Sequence, residues 1–183
     1  MVYVFLAEGF EEIEALTVVD LGRRAGLDIR TVSVGSDQNV NGSHNIPVRA
    51  DISIVEVDWN DAEMLVMPGG MPGTKNLAAC DVLMQHVEER AKEGKRIAAI
   101  CAAPALLFGD RGLTEGKTAT CYPGMEDHLK GANVTYDTVA VDGNMITSRG
   151  LGTAIDFALA IITELISADK AAEIARSVVY SAE

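Results

Sequence analysis

Lys95-Arg-Ile-Ala-Ala-Ile-Cys-Ala-Ala-Pro-Ala-Leu-Leu-Phe108 is the stretch on which the reading of the chain turns. Its continuous apolar run, Ile97 to Ile100, fits a strand covered on both faces, as in the middle of a parallel sheet. A small, helix-compatible segment follows, with Pro104 near its start, where a missing N–H has no intrahelical partner to lose. Cys101 is thereby placed on a sharp turn between the carboxyl end of a central strand and a helix, the geometry of a nucleophile elbow. Backbone N–H groups and the positive end of a helix face a thiol there, so its pKa is expected to fall. The competing reading is a buried cysteine acting as a small hydrophobe. Position favours the first, because open α/β sheets place their ligands at strand carboxyl ends.

Two more segments are expected at the same edge. Val2 to Ala7 reads as a buried strand, and Glu11 opens a helix that runs to about Ala25 and stops at Gly26. On that helix Glu14 shares a stripe with Val18, Leu21 and Ala25. Glu11 and Glu12 can be solvated, whereas Glu14 points toward the sheet. It either carries a raised pKa as a proton-handling group or caps a backbone N–H at its own helix start. Glu63 to Met67 is a further apolar strand, ending in Pro68-Gly-Gly-Met-Pro-Gly73. The backbone of Gly69 and Gly70 can come close to a ligand, and successive N–H groups there can bind an oxyanion.

The remaining elements follow from pattern and punctuation. Leu27 to Val34 is a strand, Ser36 to Asn45 a polar surface loop, and Ile46 to Ala50 a short strand of a hairpin. Asp51 to Asp61 is ambiguous, with room for a helical turn. Asn76 to Glu93 is helical with a break near Asp81. Lys117 to Cys121, Val134 to Ala140 and Met145 to Ser148 read as short strands, the last two joined by a hairpin turn at Asp142-Gly143. Met125 to Leu129 looks helical, Thr153 to Ile166 is a well-covered helix, and Asp169 to Arg176 a final one. The succession implies an α/β sandwich around a largely parallel sheet.

Composition excludes several function classes. With 183 residues, 48% of them hydrophobic and 23% charged, the chain suits one domain over residues 1–183. A formal charge of −12 argues against nucleic acid or an anionic membrane as partner. No apolar run reaches transmembrane length. The N-terminus lacks a basic leader and reads as a strand, and the odd, sparse set Cys80, Cys101, Cys121 suits a reducing cytosol, so a cytoplasmic protein is expected. These cysteines and His44, His86 and His128 form no metal-ligand spacing, and no G-x-G-x-x-G or Walker loop is present; no metal and no cofactor are expected.

Taken together, Glu11-Glu-Ile-Glu14, Pro68-Gly-Gly70, Ala98-Ala-Ile-Cys-Ala-Ala-Pro104 and Thr147-Ser-Arg-Gly-Leu-Gly-Thr153 resemble the DJ-1/PfpI (ThiJ) superfamily, specifically its DJ-1-like branch. The resemblance spans nearly the whole chain in the right order. It implies a flavodoxin-like three-layer sandwich of the class I glutamine amidotransferase-like kind, and a homodimer. It also implies a reactive Cys101 hydrogen-bonded to a protonated Glu14. The activity implied is a cofactor-independent glyoxalase or deglycase acting on methylglyoxal or glyoxal, with Gly69, Gly70 and Ala102 binding the oxyanion. The alternative is an oxidative-stress sensor or chaperone in which Cys101 is oxidised to sulfinate. The chain departs from the pattern at Tyr122, where DJ-1-like glyoxalases often carry a His; tyrosine donates a hydrogen bond but is a poor base at neutral pH. Ala102 stands where protease-like members have His, so a peptidase is not expected. His44 aligns with an Arg of DJ-1, and with Tyr122 and Cys121 it is a substrate-side candidate.

Overall fold

The structure, a computed structural model, describes residues 1–180. Strands β1 (Val2–Leu6), β2 (Ile29–Ser33), β5 (Ile52–Ser53), β6 (Met64–Met67), β7 (Arg96–Ile100), β10 (Val139–Asp142) and β11 (Met145–Ser148) form one seven-stranded sheet. Its order is β10-β11-β7-β6-β1-β2-β5, parallel throughout except at the edge, where β10 runs antiparallel to β11. Two short pairs stand outside it: β3 (Asn39–Asn41) with β4 (Pro47–Arg49), and β8 (Thr118–Ala119) with β9 (Asn133–Val134).

Alternation along the strands sorts the apolar residues onto two faces. Val2, Val4, Leu6, Val66, Ala98 and Ile100 pack on one side with Val18 and Leu21 of α1 (Glu12–Ala25), Phe157 and Ile161 of α4 (Ala154–Leu165), and Ile174 of α5 (Ala168–Ser177). Tyr3, Phe5, Leu65, Met67, Ile97 and Ala99 pack on the other with Leu77 of α2 (Gly73–Ala78), Leu83 and Val87 of α3 (Asp81–Lys92), and Phe108. The chain is therefore an α/β flavodoxin-like sandwich of three layers, as its sequence implies. β1, β6 and β7 are covered on both sides and fully buried but for Arg96, which explains why they read as unbroken apolar runs.

The structure refines several expectations. The helix read from Asn76 starts earlier, at Gly73, and breaks at Cys80, which caps α3. The segment after Cys101 is a π-helical turn, Pro104–Gly109, rather than a regular α-helix. Asn39–Asn41, read as loop, supplies the partner strand of the hairpin. The strand read over Val134 to Ala140 is two pieces, because the Thr135 hydroxyl and the Asp137 amide and carboxylate bond each other and turn the backbone. Ile54–Glu56 provides the helical turn within Asp51 to Asp61. No helix among the described residues is long and apolar enough to cross a membrane.

Candidate functional site

β7, β6 and β1 are adjacent in the sheet, so the three segments that follow them emerge side by side at its carboxyl edge. The chain leaves β1 toward β2 on one side and returns to β6 on the other, which opens a crevice between those loops. Cys101 stands at the end of β7 with φ +66°, a left-handed conformation costing roughly 1–2 kcal/mol for a residue with a Cβ. Two backbone bonds hold it there: the Cys101 N–H donates to Ser148 O at 3.0 Å, and the Tyr122 N–H donates to Cys101 O at 2.8 Å. The elbow expected from the sequence is thus built on β7 and braced by the ends of β8 and β11.

Glu14 reaches this elbow from the first turn of α1 and is 1% exposed. Its Oε2 accepts the Gly69 N–H at 2.8 Å, and its carboxyl stands close enough to the Cys101 side chain for each to shift the other's ionisation. Glu14 is not the helix cap; Glu11 is, accepting the Glu14 N–H at 2.6 Å. Gly69 is required by close approach, since a Cβ there would stand 2.5 Å from Cys101 Cβ and 2.7 Å from Glu14 Oε2. Gly70 takes φ +90°, and its N–H and that of Ala102 favour the charged form of the Cys101 sulfur. The three expected segments do meet at one point.

The electrostatics correct one expectation. Burial lifts the Glu14 carboxyl to about 7, against the bonds from Gly69 and Cys101 that favour its charge; the Glu11 carboxylate adds to the lift. Burial also lifts the Cys101 thiol, and so do the charge and the hydrogen bond of Glu14; these outweigh the Ala102 and Gly70 amides and push it up to about 12. The lowered thiol expected from the elbow therefore does not hold: burial outweighs the two amides, and an ionised Glu14 adds to the lift. Two negative charges cannot share one desolvated spot, so the pair carries a single charge. When the proton sits on Glu14, the repulsion disappears and the carboxyl O–H becomes a donor to sulfur.

A cleft of about 340 Å³ opens over the pair, lined by Gly70, Met71, Cys101, Ala102, Tyr122, Pro123 and Met125. Tyr122 lines it with half its surface exposed, and Gly150 borders it, its Cβ direction passing 4.0 Å from Cys101 Sγ. Cys121 and His44 lie elsewhere. Cys121 is buried among Ala105, Ala119 and Leu129, its thiol pushed up to about 11 by burial and by the charge of Glu126. His44, two-thirds exposed, sets its Nδ1 2.9 Å from Glu12 Oε2 and donates its backbone N–H to Glu12 Oε1 at 2.8 Å. Met71, Pro123, Met125 and Gly150 are not among the residues the sequence singles out for the site; Pro123, which follows Tyr122, and Met71, which follows Gly70, are recoverable as neighbours of residues that are.

The DJ-1/PfpI family model matches residues 1–164. Arabidopsis thaliana protein DJ-1 homolog B is 37% identical over 174 residues, covering 94% of this chain but 40% of that protein, so the chain spans less than half its length. The Caenorhabditis elegans glutathione-independent glyoxalase DJR-1.2 is 31% identical over 165 residues, covering 89% of this chain and 87% of that one. Among solved structures, oxidized Toxoplasma gondii DJ-1 superposes with a TM-score of 0.94 at 35% identity, covering 99% of this chain and 98% of its own.

Proposed function

The chain belongs to the DJ-1/PfpI family, and from that premise we propose that it converts small reactive aldehydes, methylglyoxal foremost, to hydroxy acids without a cofactor. One observation carries the reading: a buried Glu14 carboxyl, lifted to about 7, stands beside Cys101 at the floor of a small, largely apolar cleft. The relative named as a glutathione-independent glyoxalase supports it.

The reaction runs on this chain's own groups. With the proton on Glu14, the Cys101 thiolate adds to the aldehyde carbon, and the carbonyl electron pair moves onto oxygen beside the Gly70 and Ala102 N–H groups. Glu14 gives that oxygen its proton, leaving a hemithioacetal and a carboxylate. The carboxylate takes the hydrogen of the former aldehyde carbon; the hydroxyl proton passes to the neighbouring oxygen, and Glu14 returns its proton to the second carbon. A thioester of lactate results. Water adds to it with Glu14 accepting a proton, the sulfur leaves as thiolate, and lactate departs having released one proton to solvent. A carboxyl lifted to about 7 suits this traffic, because it holds and yields a proton near neutral pH.

Lactate formation by the purified protein, compared with Cys101→Ser, tests the reading. Loss of turnover in the variant is expected; equal rates would remove Cys101 from the chemistry. A second reading has its own support. Tyr122 occupies the place of an imidazole base, and a relative of known structure is described as oxidized. In that reading one peroxide oxidises Cys101 to sulfenic acid and a second takes it to sulfinate, each peroxide leaving as water, and the protonated Glu14 holds the sulfinate without turnover. Intact mass after mild peroxide, with no oxygen added at Cys101, would count against it. Residual chaperone activity in Cys101→Ala would favour a third role independent of the thiol.

A further inference from the structure

Glu11, Glu12 and His44 take no part in that reaction, yet two of the three are buried. Glu11 is 8% exposed and Glu12 2%. Each is held from a different side. Glu12 faces the β3–β4 loop that covers it: the His44 ring and backbone N–H and the Ser43 hydroxyl all bond its carboxylate. Against the cost of burial these bonds hold its pKa down to about 2. Glu11 faces inward, with Oε2 on the Glu14 N–H and Oε1 3.9 Å from His44 Nδ1.

We propose that Glu11 is a positioning residue for the Glu14–Cys101 pair, locking it through a closed ring of hydrogen bonds with Gly69. The ring has three members. The Glu14 N–H donates to Glu11 Oε2 at 2.6 Å, the Glu11 N–H donates to Gly69 O at 2.9 Å, and the Gly69 N–H donates to Glu14 Oε2 at 2.8 Å. It closes α1 onto the end of β6 across 55 residues of sequence. Its second effect runs through one peptide plane. Gly69 O and the Gly70 N–H belong to the same peptide unit and point in opposite directions. Anchoring the carbonyl on the Glu11 N–H therefore fixes the direction of the Gly70 N–H, one of the two amides that favour charge on the Cys101 sulfur. One residue thus fixes the acid by its side chain and an oxyanion donor by its backbone.

Glu11 also acts by charge. The titratable groups that face the ring are Glu12 on α1, His44 from the β3–β4 loop, and Cys101 at the end of β7. His44 binds Glu12 more closely than Glu11, so the Glu11 carboxylate is left to press on Glu14 and keep the proton there.

The inference rests on the reading of Glu14 and Cys101 given above, but its test needs no aldehyde substrate. Peptide-resolved alkylation of Cys101 by iodoacetamide is followed against pH in the native full chain and in Glu11→Gln and Glu11→Ala. Glutamine keeps an acceptor for the Glu14 N–H and removes the charge. Its alkylation midpoint should move down by about one pH unit, and its plateau rate should fall as the proton moves toward sulfur, though by less than in the alanine variant. Alanine opens the ring, and its plateau should fall by about tenfold, as expected when a hydrogen bond that orients reacting groups is lost. A residue that merely stabilised the helix start would lower the melting temperature in both variants and move no midpoint; an unmoved midpoint in Glu11→Gln, or a wild-type plateau in Glu11→Ala, overturns the proposal. Absence of lactate formation by the native chain together with a shifted Glu11→Gln midpoint would sink the aldehyde reading and leave the ring standing.

Discussion

Tyr122, the residue after Cys121, donates its N–H to the Cys101 carbonyl, so the two cysteines lie on adjoining segments, and burial pushes both thiols up, to about 12 and about 11. They are nonetheless different chemical objects. Cys121 sits in a small apolar cluster, and its thiol donates to the Tyr122 carbonyl at 3.5 Å rather than to a carboxyl. Cys101 has a buried carboxyl whose own pKa is lifted to about 7, two amides that favour charge on its sulfur, and a cleft over it. Desolvation alone makes an inert thiol; desolvation shared with a carboxyl makes a pair that keeps one proton and one charge in exchange.

The contrast can be broken by substitution. Cys101→Ser should cut lactate formation by at least about 10³-fold, as removal of a covalent nucleophile does, while Cys121→Ser should stay within about twofold. A matching loss in Cys121→Ser would erase the distinction. Glu14→Gln removes the proton carrier and should lower turnover by about 10²-fold, within the range of general acid–base catalysis. Steady-state rates of the purified variants decide both.

Stability against pH sharpens it. Glu14 ionises at an ordinary value of 4.5 in an unfolded chain and near 7 in the fold, so its folded pKa is raised. A carboxyl of this kind supports the fold fully below 4.5 and loses that support as pH rises through 7, because the unfolded chain releases the proton first. The loss amounts to about 3 kcal/mol across that window. Urea unfolding of the native chain should show this slope, and Glu14→Gln should flatten it. The smallest effect is expected at His44. Glu12 is depressed to about 2, so its contribution is present above its ordinary 4.5 and lost as pH falls toward 2. His44→Gln should move the acid-unfolding midpoint to higher pH without altering the Cys101 alkylation profile by more than a fraction of Glu11's influence.

The sequence made the elbow legible because β7 carries an apolar run, a cysteine and an early proline in that order, and every one of those signals is local. Glu14 was legible for the same reason: helical spacing alone puts it on the buried stripe. What pattern could not supply was interaction across the fold. The sign of the Cys101 shift depends on Glu14, eighty-seven positions earlier in the chain, and the N-capping role falls to Glu11 rather than Glu14 because of where β6 delivers Gly69. His44 aligned with a substrate-side position, yet Gly42, whose missing Cβ leaves room for the Glu12 carboxylate, brings the loop onto Glu12 instead. The β3 strand escaped notice because three residues alternating around Val40 are too short a pattern to stand out from a polar loop.

The account turns on one charge being shared by two buried groups, and the pH dependence of Cys101 alkylation in the native protein measures that directly. A first titration step near 7, where the pair loses its first proton, with Cys121 unmodified throughout, is the predicted result. A midpoint near that of free cysteine, about 8.5, unchanged in Glu14→Gln, would contradict it.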